Sequence, residues 1–275
     1  MIDIVELLKA VFYGIVEGIT EWLPVSSTGH LILLEELMPL DVSEEFWSMF
    51  EVVIQLGAIL AVIVLYFHRL NPFSPTKSVK EKQGTWDLWG KVIVAVLPAG
   101  VLGLLLDNWL DEHLYNYVTV AVTLILYGVA FLLVERSPRR PVIRTTGQIT
   151  WSTALIIGLF QCLAMIPGTS RSGATILGAM LLGLSRPVAA EFSFFLAIPT
   201  MLAASLLKIV KFLAGGNSMT ANEGMILVVG FVVACLVSLA VIRSLMRYVQ
   251  KHSFAVFGLY RIVLGAVVLL YFLLR

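Results

Sequence analysis

The chain has 275 residues, 59% of them apolar and only 13% charged, with a mean hydropathy of +0.93; soluble domains run nearer 45 to 50% apolar and about 25% charged. That is the composition of an integral membrane protein. The balance of 19 Lys and Arg against 18 Asp and Glu leaves no overall field to attract a polyanion, which argues against nucleic acid as a partner.

The opening segment, MIDIVELLKAVFYGIVEGITEWLP, lacks a basic n-region and a small-residue cleavage site. It carries Glu17 and Glu21 where a signal peptide is apolar, so it reads as part of the mature fold. Apolar character runs over about 4–37 but is broken by LPVSSTGH (23–30), and Pro, Gly, Ser and Thr there do not suit an uninterrupted helix. Stretches near 50–68, 90–106 and 118–134 approach the roughly 20 residues that a hydrocarbon crossing needs. The pattern then recurs. A region at about 149–184 is broken by IPGTSRSGAT (166–175), and spans follow near 190–210, 223–242 and 254–274.

Broken backbone at membrane depth persists only where protein or a wet cavity satisfies its polar groups, so the two interrupted regions read as re-entrant helix pairs. The expected fold is all-α: six transmembrane helices plus two re-entrant pairs, in one membrane domain over 1–275 with halves of about 1–145 and 146–275. LPVSSTGH and IPGTSRSGAT match in kind, and each precedes a Phe-led helix, FEVVIQLGAILAV and FSFFLAIPTMLAA. An odd number of crossings per half makes the repeats inverted, and the two hairpins then meet near the midplane from opposite faces. Threaded this way, Arg69, Lys77, Lys80, Lys82, Lys91, Arg136, Arg139, Arg140, Arg144, Arg186, Arg243, Arg247 and Lys251 share one side, which is cytoplasmic by the positive-inside rule. Glu35, Glu36, Asp41, Glu44 and Glu45, with Asp107, Asp111 and Glu112, fall outside, as do both termini.

The chemistry gathers at the breaks. Glu17 and Glu21 lie one helical turn apart, about 6 Å of rise, on one face. Two carboxylates inside an apolar stretch point to function, either a divalent cation held through oxygen or one shared proton. Ser26, Ser27, Thr28 and His30 follow Pro24. A hydroxyl there can cap the next helix, and together with the acids the group contains the parts of an activated nucleophile and its base; His30 can also attack phosphorus itself. In PGTSRSGAT, Ser170, Ser172 and Thr175 offer hydroxyls and Gly173 allows close backbone approach. Arg171 presents a planar fork for bidentate phosphate binding beside the N–H groups of a helix start. Acids and hydroxyls on one side and an anion cradle on the other suit phosphoryl transfer.

EGITE (17–21) and PGTSRSGAT (167–175), with PVSSTGH between them and FEVVIQLG after the first, closely resemble the bacterial undecaprenyl-diphosphate phosphatases, the bacitracin-resistance proteins, and the likeness covers essentially the full chain. The resemblance implies the same fold of six helices and two re-entrant pairs in a bacterial plasma membrane. It implies hydrolysis, on the outer face, of the terminal phosphate of a C55 isoprenyl diphosphate to the monophosphate that carries cell-wall precursors. By motif position it assigns Glu17 and Glu21 to catalysis or to a cation, Mg2+ or Ca2+, and Arg171 to the diphosphate. It places Ser27 and His30 at the reacting phosphorus, with Ser170 and Thr175 as supporting donors and Ser26, Thr28, Ser172 and Gly173 against the substrate. The attacking group is left open among Ser27, His30 and water. A transporter or flippase of a phosphorylated lipid or other anionic substrate is the alternative, and a homodimer is among the assemblies the sequence allows.

Other residues are expected to be structural. Cys162 and Cys235 read as packing. Gln55, one turn from Glu51, reads as packing behind the site, and Glu191 as a charge favourable to a helix start. His68, His113 and His252 fall at loop boundaries, and Trp22, Trp47, Trp86, Trp89, Trp109 and Trp151 read as interfacial belts. Tyr260 and Arg261 interrupt the last apolar stretch; Arg261 can pair with a Glu or face the cavity, and the sequence does not choose.

Overall fold

A computed structural model describes residues 3–114, 116–137 and 140–274. Arg139 lies outside the described residues, as do the side chains of Asp107 and Asp111. Among the described residues the chain forms α1 (Ile4–Thr20), α2 (Ser27–Leu37), α3 (Glu44–Leu65), α4 (Phe67–Leu70), α5 (Val79–Leu114) and α6 (Tyr117–Arg136). There follow α7 (Trp151–Cys162), α8 (Arg171–Leu181), α9 (Arg186–Ala214), α10 (Ala221–Lys251) and α11 (Ala255–Leu273). The only β pairing recorded among them is an isolated bridge between Ile143 and Leu184.

Local chemistry sets the helix starts. Asp3 accepts from the amides of Val5 and Glu6, Ser43 from Phe46, Asn116 from Thr119 and Thr150 from Thr153. Thr220 and Glu223 cap each other reciprocally. Each of these caps satisfies an amide that has no partner inside its own helix.

Six helices among the described residues, α3, α5, α6, α9, α10 and α11, are long and apolar enough to cross a membrane, one for each span read from the sequence. Several run past the expected bounds, α5 from Val79 and α10 to Lys251, because hydropathy marks the hydrocarbon zone and polar turns continue the helix beyond it. Their outward faces carry exposed Leu104 and Leu105 on α5, Val232 and Leu236 on α10, and Leu259 and Val263 on α11. The helices of the broken regions are shorter: α1 has 17 residues, and α2, α7 and α8 have 11, 12 and 11, the last three about 17 Å each at 1.5 Å per residue, against roughly 30 Å of hydrocarbon.

The main helix pairs join the first half of the chain to the second. α1 and α3 pack on α10, α5 on α7, α3 on α9 and α6 on α11. Glycine lets these backbones close in: a Cβ at Gly14 would sit 2.6 Å from the Gly230 carbonyl, and one at Gly18 2.8 Å from that of Ala234. At one end, Glu135 at the foot of α6 accepts from Arg186 at the start of α9 (2.9 and 3.1 Å from Nε) and from the Phe254 amide before α11 (2.7 Å).

Candidate active site

Both breaks use one device. Ser26 caps α2 and Ser170 caps α8, with φ of 73° and 71°, and each hydroxyl accepts from the amide of the glycine three residues on, Gly29 at 3.3 Å and Gly173 at 3.1 Å. A serine at positive φ costs about 1–3 kcal/mol, strain that concentrates at functional sites. It turns the chain abruptly into a new helix, so that each break presents a helix N-terminus.

These N-termini meet. Arg171 at the start of α8 donates from Nη2 to Glu21 Oε1 (3.0 Å), and Ser27 at the start of α2 donates to Glu21 Oε2 (2.8 Å). The ion pair is almost fully enclosed, with side-chain exposures of 10% for Arg171 and 6% for Glu21. Arg171 also donates from Nη1 to the Ser193 carbonyl (2.7 Å) and lies over the ring of Trp22, 5.9 Å from its centroid. Trp22 packs edge-on against Phe194, with ring centroids 5.2 Å apart. Expected in an interfacial belt, Trp22 is instead completely buried: it follows Glu21 in the turn that leads to the first break, and the guanidinium and Phe194 cover it.

Glu17 is also fully buried, and neither carboxylate oxygen has a hydrogen-bond partner among the described residues. An enclosed carboxylate without a partner is costly. Arg171 Nε likewise has no partner among the described residues, so a carboxylate and a guanidinium both hold unused hydrogen-bonding capacity at this point.

His30 is fixed on both sides. Nδ1 lies 2.7 Å from the Ser26 carbonyl, which can only accept, so Nδ1 carries a proton; Nε2 lies 2.7 Å from the Tyr260 hydroxyl, which donates to it when the ring is neutral. The two rings stack with centroids 5.6 Å apart. Thr28 is half-buried on the same helix.

The other motif residues fix α8 against its surroundings. Ser172 donates toward the carbonyls of Glu21 (3.1 Å) and Leu23 (3.2 Å) and lies 3.1 Å from Ser170 Oγ. Thr175 bonds the Arg171 carbonyl (2.8 Å) and Ser193 Oγ (2.7 Å). A Cβ at Gly173 would stand 3.1 Å from Arg261 Nη1.

The sequence held no sign of Ser193 and left Tyr260 and Arg261 undecided. The available signal was the rule applied to Glu17 and Glu21: an ionisable residue inside an apolar helix marks a site, and Arg261 is one. Among the described residues it forms no ion pair with a Glu, and carbonyl oxygens surround it. Glu191 departs from expectation too. α9 begins at Arg186, which puts Glu191 beyond the first turn, and it takes Arg69 as its ion-pair partner while Arg69 also donates to Thr146 (2.6 Å).

The model of the family "Bacitracin resistance protein BacA" matches residues 10–267. The chain belongs to the BacA family. Similar relatives include an undecaprenyl-diphosphatase of Enterococcus faecalis, 57% identical over 269 residues that cover 97% of this chain and 98% of that one. One from Streptococcus thermophilus is 58% identical over 270 residues, 98% and 94% of the two chains. Undecaprenyl-diphosphatase 1 of Clostridioides difficile is 56% identical over 272 residues, 99% and 98%. The BacA match takes in both breaks and α11 as far as Val267.

Proposed function

We propose that this protein is a membrane-embedded phosphatase that removes the terminal phosphate of undecaprenyl diphosphate, releasing inorganic phosphate and the lipid monophosphate. This is the carrier-recycling step of cell-wall synthesis, and it accounts for the bacitracin resistance in the family's name. One observation carries the reading: Glu21 is held between a hydroxyl from one broken hairpin and a guanidinium from the other, beside the buried, unpartnered carboxylate of Glu17.

Of the three attacking groups the sequence leaves open, the geometry favours Ser27. Its O–H already donates to Glu21, so Glu21 is placed to take the proton as Oγ attacks the terminal phosphorus. Both His30 nitrogens are engaged elsewhere. Arg171 and the N-terminus of α8 face the phosphoryl oxygens and offset the charge that develops there. The bond from phosphorus to the bridging oxygen breaks, the lipid leaves as its monophosphate, and water then hydrolyses the phosphoserine, with Glu21 passing the proton back. Ser172 ties the second break to the first through the Glu21 and Leu23 carbonyls, Thr175 fixes the start of α8 against Ser193 of α9, and Ser26, Thr28, Ser170 and Gly173 shape the cradle.

The residues fit a divalent cation of the oxygen-binding class. Glu17 has two free buried oxygens one turn from Glu21, and a carboxylate pair completed by water and substrate phosphate suits Mg2+ better than the six to eight oxygens Ca2+ prefers. Glu17 and Glu21 would hold it, and when bound it supplies positive charge against the diphosphate. The short helices α2, α7 and α8, and the matching contacts of α1 with α10 and of α7 with α5, support the re-entrant, inverted-repeat arrangement. The basic residues support an outward-facing site in the plasma membrane.

The test is phosphate release from C55 isoprenyl diphosphate by purified protein in detergent, with and without EDTA, beside Glu21→Gln and Arg171→Ala. Release by the wild type that both folded variants lose, and that EDTA suppresses, is expected. Binding of the lipid by the wild type without release would overturn the phosphatase and leave transport as the explanation of the site.

A further inference from the structure

The reaction outlined above uses no residue of α11, yet α11 carries the most enclosed cation of the site. Arg261 is completely buried. It donates from Nη1 to the Pro24 carbonyl (3.1 Å) and from Nη2 to the carbonyls of Gly168 (2.8 Å) and Thr169 (2.9 Å). Nε lies 3.4 Å from the Leu124 carbonyl of α6, and the guanidinium sits 5.5 Å from the Tyr127 ring centroid. No carboxylate forms an ion pair with it among the described residues.

The placement of those carbonyls is informative. Pro24 lies just ahead of Ser26, and Gly168 and Thr169 lie just ahead of Ser170, the two serines whose positive φ turns the chain into α2 and α8. One planar guanidinium therefore grips both breaks immediately upstream of the turns that aim Ser27 and Arg171. A buried charge satisfied only by carbonyls is a poor device for stability, since an apolar side chain of similar volume packs at lower cost. It is a good device for geometry, because the rigid fork fixes two directions at once.

We propose that Arg261 is the positioning residue that sets one broken hairpin against the other, so that Ser27 on the first meets the phosphoryl group held by Arg171 on the second. The proposal rests on the phosphatase reading. It assigns Arg261 no contact with the substrate, so its removal acts on the chemical step and leaves lipid binding largely intact.

The experiment compares wild type, Arg261→Lys and Arg261→Gln for phosphate release from C55 isoprenyl diphosphate. Rates are referred to molecules that bind the lipid, and thermal unfolding is measured in the same detergent. Lysine keeps the charge but cannot span both breaks. The expected result is a fall in kcat of about 100-fold, the scale of a misplacement near 1 Å, with KM within about threefold of wild type and the unfolding temperature within a few degrees. An unchanged kcat in either folded variant would overturn the proposal, and so would a loss confined to KM, which would make Arg261 a binding residue. Failure of both variants to fold would reduce it to a folding strut. Absence of release by the wild type itself would instead defeat the phosphatase reading, and this proposal with it.

Discussion

Arg171 shows what a single side chain must do here. Its Nη2 holds Glu21, its Nη1 holds the Ser193 carbonyl, Nε is free, and its face covers Trp22. A lysine brings the same charge but neither the fork nor the stacking plane. Arg171→Lys is therefore expected to lose about 100-fold or more in phosphate release, the scale seen when one preorganised donor is removed from a charge-stabilising site, while folded protein is retained by size-exclusion profile. Activity near wild type in that variant would mean that charge alone suffices. The sequence made Arg171, Glu21 and Ser27 legible because their residue types are rare inside apolar stretches and stand in a recognisable order. It could not show that Ser193 contributes a backbone carbonyl, since any residue carries one. Trp22 was misplaced for a physical reason as well: tryptophan at the end of a span suits a lipid interface and a buried cation equally, and sequence offers no way to see the guanidinium above it.

Among the elements, helix-to-helix approach decides what is tolerated. A methyl added at Gly57 would run into the Phe231 carbonyl of α10, and one at Gly158 into the Ala95 carbonyl of α5, whereas Gly84 has nothing within 4 Å of the same position. Gly57→Ala and Gly158→Ala should each destabilise the protein by about 1–3 kcal/mol through overpacking. Gly84→Ala should be neutral or stabilising by up to about 1 kcal/mol, as alanine replaces glycine in a helix. Thermal unfolding in detergent orders the three, and a Gly57→Ala protein as stable as wild type would show that α3 and α10 can separate. Six crossing helices and two interruptions were readable because hydropathy and helix breakers are strong local signals. The boundaries were less so. α3 begins at Glu44 with a Ser43 cap, upstream of the apolar run, because capping and hydrophobicity obey different rules.

At the scale of the whole molecule, the clustering of basic residues predicts a sidedness that labelling can test. A cysteine placed at exposed Glu44 should react with a membrane-impermeant maleimide added outside intact cells, and one at exposed Lys80 should react only after the membrane is opened. The reverse pattern would turn the site toward the cytoplasm. LPVSSTGH and IPGTSRSGAT suggested a repeat, but nothing local in either half says which helix will be its neighbour. That information lies in glycines whose partners are carbonyls far along the chain.

The pairing of α1 with α10 also bears on how the protein is made. Gly14 approaches the Gly230 carbonyl, so more than two hundred residues must be synthesised between one helix and the partner that covers it. At about 5–20 residues per second, α1 waits on the order of ten to forty seconds with two carboxylates and no α10 to receive it. During that interval the face that Gly14 and Gly18 give to α10 has no cover, and it closes only when α10 arrives.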